Sequence, residues 1–295
     1  KINNEIMNYP WMGYKIISWF SSNEYTKKWE YKPDGNIKDI KTWLTENTPD
    51  QIIFSKENSK VSMDELLNIL GDTPFPVCFF EDWFNSNMYL KSLNFGKIKL
   101  ISIWSYPQSF ISIFAKEIID RVISLSLIIL LFPLMALIAL MIIICTKNNF
   151  LFKQNRVGIN GKIFKIYKFR TMWVNESGDK VDLKQATKSD KRITSIGHFL
   201  RSYSLDELPQ LFNVLNGSMS LVGPRPHAVT HNNFYRKQIK GYMQRHRLKP
   251  GITGLAQIKG LRGETKTIKE MRERINIDLE YINNWSILLD LKILF

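Results

Sequence analysis

Apolar positions change their spacing twice along this chain. Over the first hundred residues they fall in short runs at Tyr14–Phe20, Gln51–Phe54, Val77–Phe80 and Lys97–Trp104. Such runs, bounded by polar and turn-forming residues, predict strands. Helical spacing lies between them, near Ile37–Asn47 and Met63–Leu70, and Ser62-Met-Asp-Glu65 opens the second helix as a capping box. Alternating strands and helices predict an α/β unit with a parallel, Rossmann-like sheet. No Gly-x-Gly-x-x-Gly fingerprint is present, so no dinucleotide is assigned to it. A scaffolding or regulatory role is its plainest reading.

The pattern then loses its polar positions altogether. From Val122 to Cys145, 24 residues run without a charge. As a helix this run spans roughly 36 Å, against about 30 Å for the hydrocarbon core of a bilayer. A buried core helix seldom stays apolar on every face for so many turns, so the run predicts insertion into a membrane. Pro133 near its middle removes a backbone bond and predicts a break. Lys147, Lys153, Arg156 and Lys162 follow the run and mark that side as cytoplasmic. Before it, Lys116 and Arg121 are offset by Glu117 and Asp120, which gives little reason to export the N-terminal unit. The expected topology is therefore a re-entrant helix broken at Pro133, with both soluble parts on the cytoplasmic face.

Beyond the membrane run, Asn160-Gly161 between strand-like stretches predicts a hairpin. Its second strand, Lys162–Arg170, places Lys168 and Arg170 on one face by alternation. Asn175–Arg192 reads as a polar loop, Leu205 opens a short helix, and Met219–Val222 reads as a strand. Met271–Phe295 looks amphipathic, with Tyr281 and Trp285 suited to a membrane interface. The expected domains are 1–110, a Rossmann-like α/β unit; 111–146, the membrane helix; and 147–295, an α+β catalytic domain.

Charge sharpens this division. The net charge is +14, yet residues 1–121 carry −1 and residues 122–295 carry +15. Nucleic-acid binding would explain the basic half but not the membrane run. Cys78 and Cys145 form no spacing motif, which excludes a disulfide scaffold and a cysteine zinc site. The chain begins at Lys1, so a preceding segment is expected.

Candidate chemistry centres on Ser204-Leu-Asp-Glu-Leu-Pro-Gln210. With Ser204 as N-cap, Glu207 completes a capping box and Asp206 sits where the helix dipole favours negative charge. The same geometry suits an ionised nucleophile beside a second carboxylate that serves as base or metal ligand. Arg156, Lys168, Arg170, Arg201, Arg225, Arg245, Arg247 and Lys249 are candidate phosphate partners. Gly223-Pro-Arg-Pro226 fixes one arginine between two prolines, where its planar fork suits a diphosphate. Lys249-Pro-Gly-Ile-Thr-Gly254 and Gly260-Leu-Arg-Gly263 read as anion nests. His227 and His231, four apart, are a weak zinc candidate without a third ligand. Together these parts suit a phosphate-bearing substrate reacting at a bilayer surface.

From Lys116 onward the chain resembles the bacterial sugar transferases, the monotopic phosphoglycosyl transferases. The resemblance rests on Lys168-Phe-Arg-Thr-Met172, Leu200–Leu215, Met219-Ser-Leu-Val-Gly-Pro-Arg-Pro226 and Lys249–Gly254, in this order after an apolar segment. Pro226–Asn232, Arg262-Gly-Glu-Thr and Tyr281–Ser286 are similar to the undecaprenyl-phosphate glucose phosphotransferase branch. In the larger members of that branch a bundle of transmembrane helices precedes a similar α/β unit. The resemblance implies a UDP-sugar bound with Mg²⁺ by Asp206 and Glu207, and attack of Asp206 on the sugar-bearing phosphate. UMP leaves, and undecaprenyl phosphate takes the phosphosugar from the enzyme. Glucose is the implied sugar, with galactose next, for capsule, exopolysaccharide or O-antigen synthesis at the bacterial inner membrane. Arg225 would hold a substrate phosphate, with Lys168, Arg170, Arg201 and Arg156 as further binding residues. Members often carry Ser-Pro at the helix break; Phe132-Pro133 stands here, without the hydroxyl. The implied partners are the UDP-sugar, undecaprenyl phosphate and membrane lipid, with no nucleic acid and with a homodimer left open. A membrane-bound phosphatase or nucleotidase, and a non-catalytic scaffold of polysaccharide assembly, are the competing readings.

Overall fold

The computed structural model describes residues 13–22, 32–54, 61–70, 72–80, 92–95, 98–104, 110–173, 190–263, 265 and 267–295. The chain divides into two units, 1–106 and 107–295.

In the first unit, β1 (Phe20–Ser21) pairs in parallel with β2 (Gly35–Asn36). A short 3-10 turn leads into α1 (Ile40–Glu46), and then follow β3 (Ile52–Phe54), α2 (Met63–Leu70), β4 (Val77–Phe80), β5 (Ser92–Phe95) and β6 (Ile98–Trp104). The Ser62 hydroxyl accepts from the Glu65 amide at 3.2 Å, as the capping signal requires. Ile37, Ile40, Phe54, Leu66, Leu70, Val77 and Phe79 form the core. The sheet order is β3-β4-β6-β5. Only β3 and β4 run parallel, joined through α2; β6 is antiparallel to both its neighbours. The sheet is thus mixed, where an all-parallel one was expected. Only two residues separate β5 from β6, too few for a parallel crossover. Of the expected strand Tyr14–Phe20, only Phe20 pairs, because β2 offers two residues of ladder.

The second unit opens with α3 (Phe110–Thr146), a helix of 37 residues. Asp120, Ser124, Ile128, Met135, Ile138, Ile142 and Thr146 are buried along one stripe at helical spacing. Ile111, Phe114, Val122, Ile129, Leu130, Phe132, Leu137 and Ile144 lie bare on its other faces. Only 22% of its most apolar window is buried, unlike a soluble core helix, and the helix is long and apolar enough to cross a membrane. The chain stays helical through Pro133.

The Asn-Gly signal holds. β7 (Leu151–Val157) and β8 (Ile163–Phe169) form an antiparallel hairpin in which Val157 faces Ile163. Asn160 and Gly161 take φ of 53° and 74°, a pair of left-handed residues that this dipeptide tolerates. Beyond residue 190 come α4 (Ser195–Ser202), a 3-10 turn (Leu205–Glu207) and α5 (Gln210–Leu215). Then follow β9 (Ser220–Val222), α6 (Val229–Arg236), a second 3-10 segment (Tyr242–Arg247), β10 (Gly251–Thr253) and α7 (Leu255–Ile258). Helices α8 (Ile268–Asn283) and α9 (Ile287–Leu294) close the unit. Most of the expected polar loop at 175–192 lies outside the described residues.

One core joins Ile128 of α3 to Ile166, Leu211, Val214, Leu221, Val222, Tyr281 and Ile282. Asn213 ties α5 to the edge of β8: its amide donates to the Lys165 carbonyl at 2.8 Å, and its Oδ1 accepts from the Tyr167 amide at 2.9 Å. Tyr281 is not a membrane-interface residue. It is buried, and its hydroxyl meets Asp290 Oδ1 at 2.7 Å, while Trp285 Nε1 donates to Asp290 Oδ2 at 3.0 Å. Both rings therefore knit α8 to α9.

Candidate active site

The Asp206-Glu207 pair does not sit in a capping box. Ser204 adopts a left-handed conformation (φ 59°), and its hydroxyl makes no cap bond. The Glu207 amide donates to the Ser204 carbonyl at 3.1 Å instead, and the Ser204 hydroxyl accepts from Arg262 at 2.5 Å. The left-handed residue lifts Leu205–Glu207 into a separate 3-10 turn, and α5 starts only after Pro209. A non-glycine residue in this conformation costs of order 1 kcal/mol and is characteristic of functional turns. Leu205 and Leu208, on either side of the dyad, pack against the cluster of Met135, Ile138, Ile142, Phe169 and Leu200. The turn is thereby pinned to the half of α3 that follows Pro133.

Both carboxylates are buried, at 7% and 8% exposure, yet their surroundings differ. Lys168 Nζ donates to Glu207 Oε1 at 2.8 Å. Arg225 grips the same carboxylate with both prongs, at 2.5 Å on Oε1 and 3.2 Å on Oε2. Burial alone would raise the Glu207 pKa, but the Lys168 and Arg225 charges outweigh it and hold the group well below the usual carboxylate range. Asp206 has only the Lys168 ammonium at 3.9 Å, and among the described residues nothing donates a hydrogen bond to it. Burial raises its pKa, and the Glu207 charge pushes the same way, against Lys168, Arg201 and Arg225. Lys168 is itself lowered by burial, with Glu207 opposing. The turn therefore holds one firmly ionised, fully partnered carboxylate beside one that is free to act as a nucleophile or to take a proton.

The expected basic residues divide. Lys168 and Arg225 reach the dyad directly. Arg201 stands close enough for its charge to act on Asp206, and is aimed by its Nε donating to Thr171 Oγ1 at 2.9 Å. Arg156 turns instead to the Pro226 carbonyl at 3.2 Å and Gln154 at 2.5 Å. Burial and the neighbouring Arg225 lower its pKa to about 10. Arg170 follows the last residue of β8, its amide still donating to the Phe150 carbonyl at 2.8 Å, and its Nε donates to the Asn149 carbonyl at 2.8 Å. Lys249 pairs with Glu117 of α3.

Two further expectations are corrected. Lys249–Gly254 is no anion nest: β10 pairs in parallel with β9, and a Cβ on Gly251 would stand 2.0 Å from the Gly223 amide nitrogen. The glycine there permits backbone contact behind the Pro-Arg-Pro loop. His227 precedes α6, so it does not share a helix face with His231. Its Nδ1 lies 2.6 Å from the Tyr242 hydroxyl and 2.7 Å from Arg245 Nη1, and it must accept from the arginine, which has no acceptor atom. Burial, with Arg245 next to it, lowers the His227 pKa well below its ordinary value. Among the described residues no three His, Cys, Asp or Glu side chains gather as a metal cage. Thr171 and Asp278, neither singled out in the sequence, complete the surroundings. Thr171 lies inside the Lys168–Met172 motif, which was the signal available for it; Asp278 sits within a helix and carried none.

A carboxylate pair thus stands under a cationic grip, on a turn fixed to an apolar helix. Residues 111–295 match the family model described as bacterial sugar transferase. The chain is 42% identical over 289 residues to the UDP-glucose:undecaprenyl-phosphate glucose-1-phosphate transferase of Klebsiella pneumoniae, covering 97% of this chain and 62% of that protein. It is 45% identical over 183 residues to the exopolysaccharide production protein PSS of Rhizobium leguminosarum, covering 61% and 91% respectively. A UDP-N-acetylgalactosamine-undecaprenyl-phosphate N-acetylgalactosaminephosphotransferase of Aeromonas hydrophila is 40% identical over 163 residues, 55% of this chain and 38% of that protein. The chain thus spans about three-fifths of the first of these relatives. With the match running from the long apolar helix through the dyad and the Pro-Arg-Pro loop to the last residue, this chain belongs to the bacterial sugar transferase family.

Proposed function

We propose that the chain transfers a sugar phosphate from a UDP-sugar to undecaprenyl phosphate and releases UMP, the first membrane step in building a capsule, exopolysaccharide or O-antigen. One observation carries this reading: Asp206, buried and accepting no hydrogen bond among the described residues, lies among three cationic side chains on a turn packed against the membrane helix. A phosphate-transfer centre in that place suits a lipid-borne acceptor. Glucose is the preferred sugar, since the Klebsiella relative, matched over nearly the whole chain, is named for UDP-glucose.

In the first half-reaction an Asp206 oxygen attacks the sugar-bearing phosphorus. The bond from that phosphorus to the bridging oxygen breaks, and UMP leaves with the electron pair. An acyl phosphate joins Asp206 to the sugar. A phosphate oxygen of undecaprenyl phosphate then attacks the same phosphorus, and the Asp206 carboxylate leaves. Arg225 and Lys168 are placed to spread the diphosphate charge. At rest Glu207 holds both. Asp206 and Glu207 also fit, in kind, a Mg²⁺ that shares phosphate oxygens with the substrate, since this ion commonly takes one or two carboxylates rather than a full protein cage. Bound there, it would neutralise charge on the diphosphate of the substrate and on the departing UMP.

The same reading places the chain in the inner membrane with its soluble parts on the cytoplasmic face. Ion pairs support re-entry over spanning. Lys116 and Glu117 precede the apolar run, and they pair with Asp290, at 2.6 Å, and with Lys249, both of which follow it. Such pairs favour a topology with both ends of the run on one side of the bilayer. The test is UMP release from UDP-glucose and UDP-galactose, with and without undecaprenyl phosphate and Mg²⁺. Lipid-dependent turnover is expected. Lipid-independent release of sugar phosphate would favour a phosphatase or nucleotidase, and no turnover a scaffold.

A further inference from the structure

The Pro-Arg-Pro loop is held by its carbonyls. Prolines 224 and 226 have no amide hydrogen to donate, so beyond the Gly223 amide, which donates to the Thr253 carbonyl at 2.9 Å, the loop between β9 and α6 is tied mainly through its carbonyls. Four consecutive carbonyls are taken by donors from three segments: β7, the second 3-10 segment and β10. The Pro224 oxygen accepts from the Gly251 amide at 3.1 Å, and the His227 oxygen from the Val157 amide at 3.4 Å. Between them, the Pro226 oxygen accepts from Arg156 and the Arg225 oxygen from Arg245 Nη2 at 2.8 Å. The last is unusual, because Arg245 is 1% exposed and brings a full charge into the interior.

That charge is costly to bury and is matched on every side. Asp278 Oδ2 accepts from Arg245 Nη2 at 2.7 Å and from Nε at 3.1 Å. His227 Nδ1 takes Nη1 at 2.7 Å, and the Tyr242 ring lies 5.7 Å below the guanidinium. Apolar packing would fill the same volume at lower cost, and a buried ion pair is weak evidence for stability in itself. What an apolar side chain could not do is donate to the Arg225 carbonyl.

We propose that Arg245, charged against Asp278, is a positioning residue for Arg225. By fixing the backbone at residue 225 it sets where the guanidinium fork stands over the dyad and over a substrate phosphate. This inference rests on the transferase reading above. It extends that reading to two residues, Arg245 and Asp278, which touch neither substrate nor dyad.

A kinetic double-mutant cycle tests it, using the whole chain in detergent or native membranes, with UDP-glucose, undecaprenyl phosphate and Mg²⁺. Arg245→Lys keeps the charge beside Asp278 but loses the fork that spans to the carbonyl. A misplacement near 1 Å costs about 100-fold, so kcat/KM in Arg245→Lys should fall by about that factor. Arg225→Ala should fall at least as far. If Arg245 acts through Arg225, the double variant is no slower than Arg225→Ala alone. A merely structural role gives losses that multiply, and that result overturns the proposal, as does wild-type rate in Arg245→Lys. Should Arg245→Lys fail to fold, Asp278→Asn, nearly isosteric and without the charge that steadies Arg245, takes its place in the same cycle with the same two outcomes. A wild-type chain that shows no lipid-dependent release would defeat the transferase reading itself. An active wild type with an additive cycle defeats the positioning role alone.

Discussion

Asp206 and Glu207 are neighbours, and isosteric replacement of each should change stability in opposite directions. Glu207 receives three hydrogen bonds from two cations. A hydrogen bond to a charged group contributes about 1.5–3 kcal/mol. Gln at this position keeps one acceptor oxygen, loses the charge, and leaves Lys168 and Arg225 without a firmly held counter-ion. Those side chains remain 18% and 26% exposed, so water recovers part of the loss. Glu207→Gln should therefore cost about 2–3 kcal/mol. At about 2–4 °C per kcal/mol, the melting temperature drops by about 4–12 °C. Asp206 is the reverse case. Its pKa is raised, so holding it ionised at neutral pH opposes folding, and Asp206→Asn removes that opposition. It should melt at or above wild type. The pH dependence follows from the sign of each shift. Glu207 is depressed in the folded state, so its contribution is complete above the unfolded value of about 4.3 and fades as the pH falls below it. The difference between wild type and Glu207→Gln should thus be full at pH 7 and shrink toward pH 3. Thermal or urea unfolding in detergent, monitored by tryptophan fluorescence, reads both. Equal stability of the two variants at pH 7 would show that Glu207 is an ordinary helix-start carboxylate and that the cationic grip is not formed.

Arg225→Lys should recover little of the activity lost in Arg225→Ala, because an ammonium cannot reproduce the two-pronged contact; a loss of roughly 2–4 kcal/mol, about 30- to 1000-fold in kcat/KM, is expected in both, and near-normal rates in either would return Arg225 to the surface. Asp206 must be ionised to attack, so the acid limb of the pH–rate profile should lie above the ordinary aspartate value of about 3.9. In the residual activity of Glu207→Gln, with the like charge gone, that limb should move to lower pH, and an unmoved limb would contradict the coupling. For topology, single cysteines placed in the N-terminal unit and after residue 146 should both resist a membrane-impermeant thiol reagent applied to sealed cells. Labelling of only the N-terminal one from outside would establish a spanning helix.

Local chemistry carried much of this architecture into the sequence. The uncharged run, the Asn-Gly hairpin and helix α2 all depend on neighbours in the chain, and each forms where its pattern placed it. Lys168, Arg201, Arg225 and the dyad were legible because they lie inside short motifs. What escaped depends on contacts distant in sequence. Nothing local shows that Ser204 turns left-handed, since Arg262, 58 residues on, holds its hydroxyl. A surface arginine and a buried one look alike in a sequence, and so Arg245 and Arg156 read as phosphate partners although both serve the backbone of the Pro-Arg-Pro loop. Arg170 is a further case: its amide keeps the hairpin register, but its guanidinium goes to the Asn149 carbonyl, a contact that no local pattern shows. In the N-terminal unit the alternating pattern concealed β5, whose Ser-Leu-Asn-Phe run pairs with β6 only across a two-residue connection.

The most direct test is intact-mass analysis of the chain after brief incubation with UDP-glucose and Mg²⁺, without lipid acceptor. Wild type should gain the mass of one sugar phosphate, peptide mapping should place it on Asp206, and undecaprenyl phosphate added afterwards should remove it. Asp206→Asn, folded and at least as stable as wild type, should gain nothing. An adduct that persists in Asp206→Asn would put the nucleophile elsewhere. Lipid-dependent turnover in that variant would mean that the sugar phosphate passes directly to the lipid, with Asp206 no more than a bystander.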